Sequence, residues 1–95
     1  MSLSDISVAE LSADGVFAPC APYFHLFEKY AAEFKIPAIF LASFAMQEST
    51  CNKDAMGRDG SNGLMQITTD KCTAGIDCKD PDYNVKTGSL PLFRN

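Results

Sequence analysis

The stretch that decides the fold covers residues 37–50 and reads PAIFLASFAMQEST. It opens with a proline, which suits the first position of a helix because the amide hydrogen that proline lacks would be unpaired there. The first ten residues are almost wholly apolar, so we expect a helix that is buried on most sides. Glu48 then falls in its last turn, on the same face as Phe44 and Ala45, four and three residues earlier.

Glu48 is therefore predicted to lie on an apolar stripe. Desolvation disfavours a carboxylate, and so does the partial negative charge of a helix C-terminus, so both effects favour the protonated carboxyl. A carboxyl that keeps its proton near neutral pH is a general acid for the oxygen of a breaking glycosidic bond. A glutamate at a helix end is more often simply solvated, and the sequence downstream is what favours the catalytic interpretation.

A second helix is predicted just before this one. Apolar residues recur at three- and four-residue spacing from Tyr23 to Phe34, a pattern typical of an amphipathic helix over residues 22–35. Ile36 ends it, because the residue before a proline avoids helical backbone angles. So short a connection predicts a hairpin of antiparallel helices.

The rest of the chain is less regular. Residues 1–19 show no strong pattern and are predicted to form a loose arm ahead of one domain over residues 20–95. Residues 52–63 hold three glycines, two asparagines and two aspartates, which indicates a loop. Residues 64–69 are predicted to form a short strand.

Four cysteines, Cys20, Cys51, Cys72 and Cys78, suit two disulfides formed in an oxidising compartment. No CxxC pair occurs and His25 is the only histidine, so the spacing does not fit a zinc site, and we expect neither metal nor cofactor. Three pairings are possible. Each predicted helix spans about 21 Å, so the hairpin returns Cys51 to the end where Cys20 lies, which favours that pair and leaves Cys72 with Cys78.

Size and charge exclude several classes of function. With 95 residues and 10.3 kDa the chain forms one domain. A net charge of −4 without a run of Lys or Arg argues against nucleic acid or a membrane as partner. The first residues lack the basic and apolar segments of a secretory signal, so either a signal was removed or the chain takes another route. The cysteines favour the first option, and a secreted, extracellular protein is predicted.

Two pieces of sequence, Glu48-Ser49 and GSNGLMQI over residues 60–67, resemble the catalytic core shared by soluble lytic transglycosylases and goose-type lysozymes. The resemblance implies that Glu48 is the single acid/base, that Ser49 supports the site and that Gln66 lines the glycan cleft. It implies further substrate contacts from Gly63, Leu64, Met65 and Tyr83.

The segment DPDYN over residues 80–84 resembles the family's later segment, which begins another helix. Periodicity alone instead indicates polar turns after Asp70, with Gly88 as a helix breaker. The resemblance implies a mainly α fold of the lysozyme-like α+β type, in which the helical hairpin adjoins a glycine-rich loop and a minor strand region.

The implied activity is cleavage of β-1,4-glycosidic bonds in peptidoglycan or a related amino-sugar glycan, and two mechanisms remain open. In the transglycosylase route Glu48 acts alone and the sugar's own C6 hydroxyl closes an anhydro product. In an inverting hydrolytic route a second carboxylate, roughly 6.5 to 9.5 Å away, activates water. Asp59 is the candidate for that base and Asp54 the reserve.

Domains of this family continue beyond the segment resembled here, whereas this chain stops at Asn95, so a shortened domain is expected. The alternative function is an inactive form that acts as a glycan-binding or protein-interaction module. Missing cover would leave apolar surface exposed on Phe24, Phe27 and Phe34, which predicts a homodimer.

Overall fold

A computed structural model describes residues 15–94 of the chain, with side chains described as far as Leu92. Residues 1–14 of the predicted arm lie outside the described residues. In order along the chain, the elements are a 3-10 helix over Ala18–Tyr23, helix α1 over Phe24–Phe34, helix α2 over Ala38–Ser49, a 3-10 turn over Thr69–Lys71 and helix α3 over Pro81–Arg94. The predicted mainly α fold is confirmed.

The predicted helical hairpin is formed by α1 and α2. Helix α1 ends at Lys35, which has a left-handed backbone with φ 56°, and Pro37 is extended with ψ 134° just before α2 begins. The observed bounds lie within two residues of those predicted from the apolar pattern. The disulfide Cys20–Cys51 joins the chain before α1 to the chain after α2, so the two helices run in opposite directions.

The core lies between the three helices. Its fully or nearly buried apolar side chains are Cys20, Leu26, Phe27, Tyr30, Phe34, Leu41, Ala42, Ala45, Cys51, Leu64, Met65, Ile67 and Val85. The predicted exposure of Phe27 and Phe34 is wrong, because α2 and α3 both pack against α1 and leave these rings 0% and 8% exposed. This removes the reason given for a homodimer, which stays a prediction.

The part of the chain between α2 and α3, residues 50–80, is called the glycine-rich half. It contains isolated bridges in place of the strand predicted over residues 64–69. Asn62 forms antiparallel bridges with Met56 and with Ile67. Between Asn62 and Ile67 the chain reverses its direction, because Gly63 and Gln66 adopt left-handed backbone with φ 75° and 52°. Backbone with positive φ interrupts an extended strand, so the segment is a tight turn closed by the Asn62–Ile67 pair.

Gly88 lies inside α3 and does not break it, contrary to the periodicity-based prediction. The residue is buried, and a Cβ atom at this position would collide with the Cβ of Met65. Glycine therefore lets α3 lie directly on the turn that carries Met65. The helix begins at Pro81, as the family resemblance implied.

Both disulfides follow the predicted pairing. Cys20 is bonded to Cys51, across 31 residues of sequence, and Cys72 to Cys78, across six. The first closes the hairpin, and the second closes the loop that leads into α3.

Candidate active site

Glu48 lies in the last turn of α2 and is exposed, so the prediction of a buried apolar stripe around it is wrong. Ala45 is the last fully buried residue of α2, and Glu48 projects past the point where the core ends. Within the described part of the chain, its carboxylate forms no hydrogen bond or ion pair. The helix stops two residues later, where Thr50 and Cys51 turn left-handed with φ 53° and 55°.

Ser49 ties the end of α2 to the glycine-rich half. Its hydroxyl lies 2.8 Å from the carbonyl oxygen of Leu64 and 3.1 Å from that of Ala45. The hydroxyl oxygen of Ser49 also accepts the amide hydrogen of Asn52, at 3.2 Å. The residue next to Glu48 is thus fastened on one side to its own helix and on the other to the turn that holds Gln66.

The side chain of Gln66 braces this turn from inside. Its amide nitrogen Nε2 donates to the carbonyl oxygens of Gly63 at 2.9 Å and Ala55 at 3.3 Å. These bonds hold Gln66 in its left-handed backbone conformation, which costs a non-glycine residue about 1 kcal/mol or more.

Asn84, on α3, belongs to the DPDYN segment, but no role in the site was predicted for it from the sequence. It is fully buried, its Oδ1 accepts the amide hydrogen of Met65 at 2.7 Å, and its Nδ2 donates to the carbonyls of Asn62 at 2.8 Å and Cys78 at 2.9 Å. It therefore joins α3 to both sides of the glycine-rich half. The available signal was an asparagine inside a predicted helix, where its propensity is poor.

Gly63 owes its identity to Asn84. Its φ is 75°, and a Cβ atom would collide with the Asn84 amide. Leu64 is fully buried and Met65 is 2% exposed. Their side chains pack into the core, and the substrate contacts assigned to Gly63, Leu64 and Met65 remain predictions.

Tyr83 fixes the segment before the second disulfide. Its hydroxyl donates to the carbonyl oxygen of Lys71 at 3.0 Å, accepts the amide hydrogen of Thr73 at 2.9 Å and lies 3.2 Å from the Thr73 hydroxyl. The hydrogen bonds with Thr73 lower the pKa of Tyr83. Substrate binding by Tyr83 remains a prediction, and in this structure the hydroxyl bonds to protein groups.

The proposed second carboxylate, Asp59, is exposed and orders its own loop. Its Oδ1 accepts hydrogen bonds from the hydroxyl of Ser61 at 2.6 Å and from the Ser61 amide at 3.2 Å. These bonds stabilise the carboxylate and lower the pKa of Asp59. Asp54, the reserve candidate, pairs with the adjacent Lys53 at 3.2 Å.

A cleft of about 270 Å³ opens between α2, the Gln66 turn and α3. It is lined by Phe44, Met65, Gln66, Ile67, Thr68, Lys71, Thr87, Gly88, Pro91 and Leu92. Of the predicted site residues, Met65 and Gln66 line this cleft. Glu48 does not line it, but follows Phe44 by one helical turn, a Cβ separation of about 5–6 Å.

The family model of the transglycosylase SLT domain matches residues 25–94. The match covers the hairpin with Glu48, the turn with Gln66, and α3. The chain belongs to this family.

The chain is also similar to the membrane-bound lytic murein transglycosylase F of Serratia proteamaculans (strain 568). The two are 42% identical over 73 residues, which cover 73% of this chain and 14% of the relative. The chain therefore spans about one seventh of the length of that relative. No solved structure matches the chain.

This relative contradicts the prediction of a freely secreted, extracellular protein, because its name describes a membrane-bound enzyme. The prediction rested on the cysteines. Disulfides indicate an oxidising compartment and carry no information on whether a protein there is tethered. Among the helices that the structure describes, none is long and apolar enough to cross a membrane.

Proposed function

We propose that this chain cleaves β-1,4-glycosidic bonds in peptidoglycan-type glycans, with Glu48 as the single acid/base. The observation that carries the proposal is the hydrogen bond of 2.8 Å from the Ser49 hydroxyl to the Leu64 carbonyl. It fixes the end of α2, and with it Glu48, beside the turn that presents Gln66. Membership of the transglycosylase SLT domain family supports the same assignment.

The cleft gives the glycan a course toward Glu48. Gln66 lies in its wall and Phe44, on α2, forms part of another side. A sugar chain that lies in the cleft and continues along α2 reaches Glu48 one helical turn beyond Phe44. Glu48 is exposed in the free chain, so the bound glycan itself supplies the cover that shields its carboxyl from water.

The proposed reaction needs one carboxyl group. Glu48 donates its proton to the glycosidic oxygen as the bond from that oxygen to C1 breaks. The resulting carboxylate accepts the proton of the C6 hydroxyl on the same sugar, and O6 bonds to C1. The products are a shortened glycan and a 1,6-anhydro sugar end, and the carboxyl of Glu48 is restored without consumption of water.

The hydrolytic route with Asp59 as base is the less favoured mechanism. Both hydrogen bonds from Ser61 fall on Oδ1 of Asp59 and use this carboxylate to order the glycine-rich loop. They also lower the pKa of Asp59, which makes this carboxylate a weaker base toward water. Product masses separate the routes, because a hydrolytic product is heavier than the anhydro product by one water molecule.

Glu48→Gln tests the assignment of the acid/base. The amide keeps the shape of the side chain but has no proton to transfer, so we expect glycan cleavage to fall about 10²- to 10⁴-fold. The assay measures soluble fragments released from purified peptidoglycan by mass spectrometry. The matched control is Glu28→Gln, which removes an exposed glutamate from α1 and should leave the rate unchanged. Undiminished cleavage by Glu48→Gln would remove Glu48 from the mechanism.

The alternative is an inactive module that binds glycan or protein. The exposure of Glu48 favours it, because a carboxyl in open solvent lacks the shielding that sustains a general acid. The same digestion decides between the two functions. Glycan binding without any released product in the unaltered chain would support the module and contradict the enzyme.

A further inference from the structure

We propose that Lys71 binds a carboxylate carried by the glycan and makes the cleft selective for acidic over neutral amino-sugar chains. This inference deepens the proposed function and rests on it for the class of substrate. The carboxylate is the one on the lactyl substituent of peptide-free N-acetylmuramic acid, which chitin-type chains lack.

Lys71 stands out among the cleft residues by its charge. It is the one cationic side chain among the described residues that line the cleft, whose other lining residues include the polar Gln66 and Thr68 and the apolar Phe44, Ile67 and Leu92. Within the described part of the chain its ammonium forms no ion pair. An ammonium group in a cleft wall that forms no ion pair with the described residues is available to an anionic ligand.

The backbone at Lys71 is held firmly on both sides. Its amide donates to the Thr68 carbonyl at 3.0 Å, and its own carbonyl accepts the hydroxyl of Tyr83 at 3.0 Å. The next residue, Cys72, is bonded to Cys78. Fixing the backbone in advance lowers the entropy lost on binding, so only the side chain has to be ordered when a ligand arrives.

The charge of the whole chain sharpens this role. A net charge of −4 repels an acidic glycan at long range, so affinity for such a chain depends on a local cation. Asp70 lies next to Lys71, and its carboxylate is held mainly by the side chain of Thr68, which lowers the pKa of Asp70, with a smaller contribution from Lys71. The positive charge of Lys71 is therefore only partly neutralised by the adjacent carboxylate of Asp70.

The test compares binding of two glycans that differ in the carboxylate. The probes are peptide-free oligosaccharides of alternating N-acetylglucosamine and N-acetylmuramic acid, with free lactyl carboxylates, and chitin oligosaccharides of equal length. Titration calorimetry on the Glu48→Gln background keeps either ligand intact. We expect Lys71→Gln to weaken binding of the acidic glycan about 3- to 10-fold, because an exposed ion pair is partly screened by solvent. Binding of the chitin oligosaccharide should change by less than about twofold.

The matched control is Lys86→Gln, which makes the same change in net charge at an exposed position of α3 that does not line the cleft. It should leave both affinities unchanged. Added salt should reduce the preference for the acidic glycan in the Glu48→Gln chain that keeps Lys71. It should have little effect on the affinities of the chain that also carries Lys71→Gln.

Three outcomes would overturn the proposal: equal loss of both glycans in Lys71→Gln, equal loss of the acidic glycan in the two lysine variants, or no binding of the acidic glycan by the parent chain. The readout is binding and needs no turnover. A chain that cleaves nothing but binds acidic glycan through Lys71 would refute the proposed activity and leave this inference standing. If instead the chain cleaves peptidoglycan equally well with and without Lys71, and binds both glycans alike, this inference is refuted and the proposed activity stands.

Discussion

The helical hairpin and the glycine-rich half of this molecule are each stabilised by a different kind of interaction. In the hairpin, backbone groups pair within α1 and α2, and apolar side chains such as Phe27 and Leu41 fill the space between helices. From residue 50 to residue 80, backbone groups pair with one another only in turns and isolated bridges, and polar side chains, chiefly those of Ser49, Gln66 and Asn84, bind further backbone groups.

The difference explains where precision in the site comes from. Apolar packing tolerates exchange between side chains of similar volume, whereas a buried hydrogen bond requires one donor and one acceptor at fixed positions. Glu48 stands at the border of the two halves, on the last turn of the hairpin. Its position beside the Gln66 turn therefore depends on the hydrogen bond from Ser49 to Leu64 as well as on the apolar core.

Among the substitutions that remove hydrogen bonds from the glycine-rich half, Asn84→Ala should have the largest effect on stability. It leaves the buried Met65 amide and the part-buried Cys78 carbonyl without this partner, whereas the Asn62 carbonyl keeps the amide hydrogen of Ile67. Each unsatisfied group costs about 1–3 kcal/mol, so we expect a loss of about 3–5 kcal/mol in the free energy of unfolding. Urea unfolding followed by circular dichroism measures it.

Ser89→Ala is the matched control on the same helix. Ser89 is also fully buried, but its hydroxyl donates to the Val85 carbonyl within α3 itself. The carbonyl keeps its helical hydrogen bond, so the expected loss is about 1 kcal/mol or less. Equal losses in Ser89→Ala and Asn84→Ala would show that the glycine-rich half does not depend on the bonds from Asn84.

The apolar half was predictable from the sequence, because its structure follows from periodicity. The spacing from Tyr23 to Phe34 and the apolar run after Pro37 place both helices, and the hairpin they form brings Cys20 to Cys51. Each of these features repeats one local rule along many residues. Such repetition survives the loss of any single position.

In the glycine-rich half, composition predicted a loop and the hairpin left Cys72 to pair with Cys78, but the turn itself was identified only through resemblance to a family. The GLMQI run identifies the turn, but its left-handed Gln66 and the collision that excludes a side chain at Gly88 depend on contacts distant in sequence. Burial of Glu48 was expected from the face it shares with Ala45, and the expectation failed because a helical period does not show where a core ends. Asn84 belongs to the DPDYN segment used for the resemblance, but its role was not predicted because the contacts of one residue produce no pattern in the sequence.

The two disulfides offer a way to sharpen the comparison with a smaller effect. Replacing both cysteines of a pair by alanine frees a loop of about 32 residues for Cys20–Cys51 and about seven for Cys72–Cys78, and chain entropy then predicts losses of about 4 and about 2 kcal/mol. Denaturant unfolding of the two double variants measures the global loss. Hydrogen exchange at Thr73, whose amide donates to Tyr83, measures local opening beside Lys71.

We expect the Cys72–Cys78 variant to speed exchange at Thr73 more than its global loss explains. The Cys20–Cys51 variant should raise exchange there only through global unfolding, because its disulfide closes the hairpin and not this loop. If both variants speed exchange at Thr73 in proportion to their global losses, the two halves unfold as one unit and the division between them has no dynamic counterpart.

The smallest expected effect is at Asp82, in the first turn of α3, which links that helix to the hairpin. Its carboxylate accepts the hydroxyl of Tyr30 and pairs with Lys29 at 3.1 Å, both on α1. These partners, Tyr30 first, lower the pKa of Asp82 below its usual value of 3.8. Asp82 therefore stabilises the fold above about pH 4, and this contribution is lost as the pH falls through the lowered pKa. Because the side chain is 47% exposed, solvent screens the pair and the contribution should stay below about 1 kcal/mol.

Asp82→Asn isolates this contribution, since the amide still accepts the Tyr30 hydroxyl but does not titrate. Urea midpoints between about pH 6 and about pH 2.5 should fall less steeply for Asp82→Asn than for the parent chain. Asp54→Asn, which removes an exposed carboxylate paired with the adjacent Lys53, should follow the parent curve. Parallel curves for Asp82→Asn and the parent would mean that the negative charge of Asp82 contributes nothing measurable to the attachment of α3 to α1.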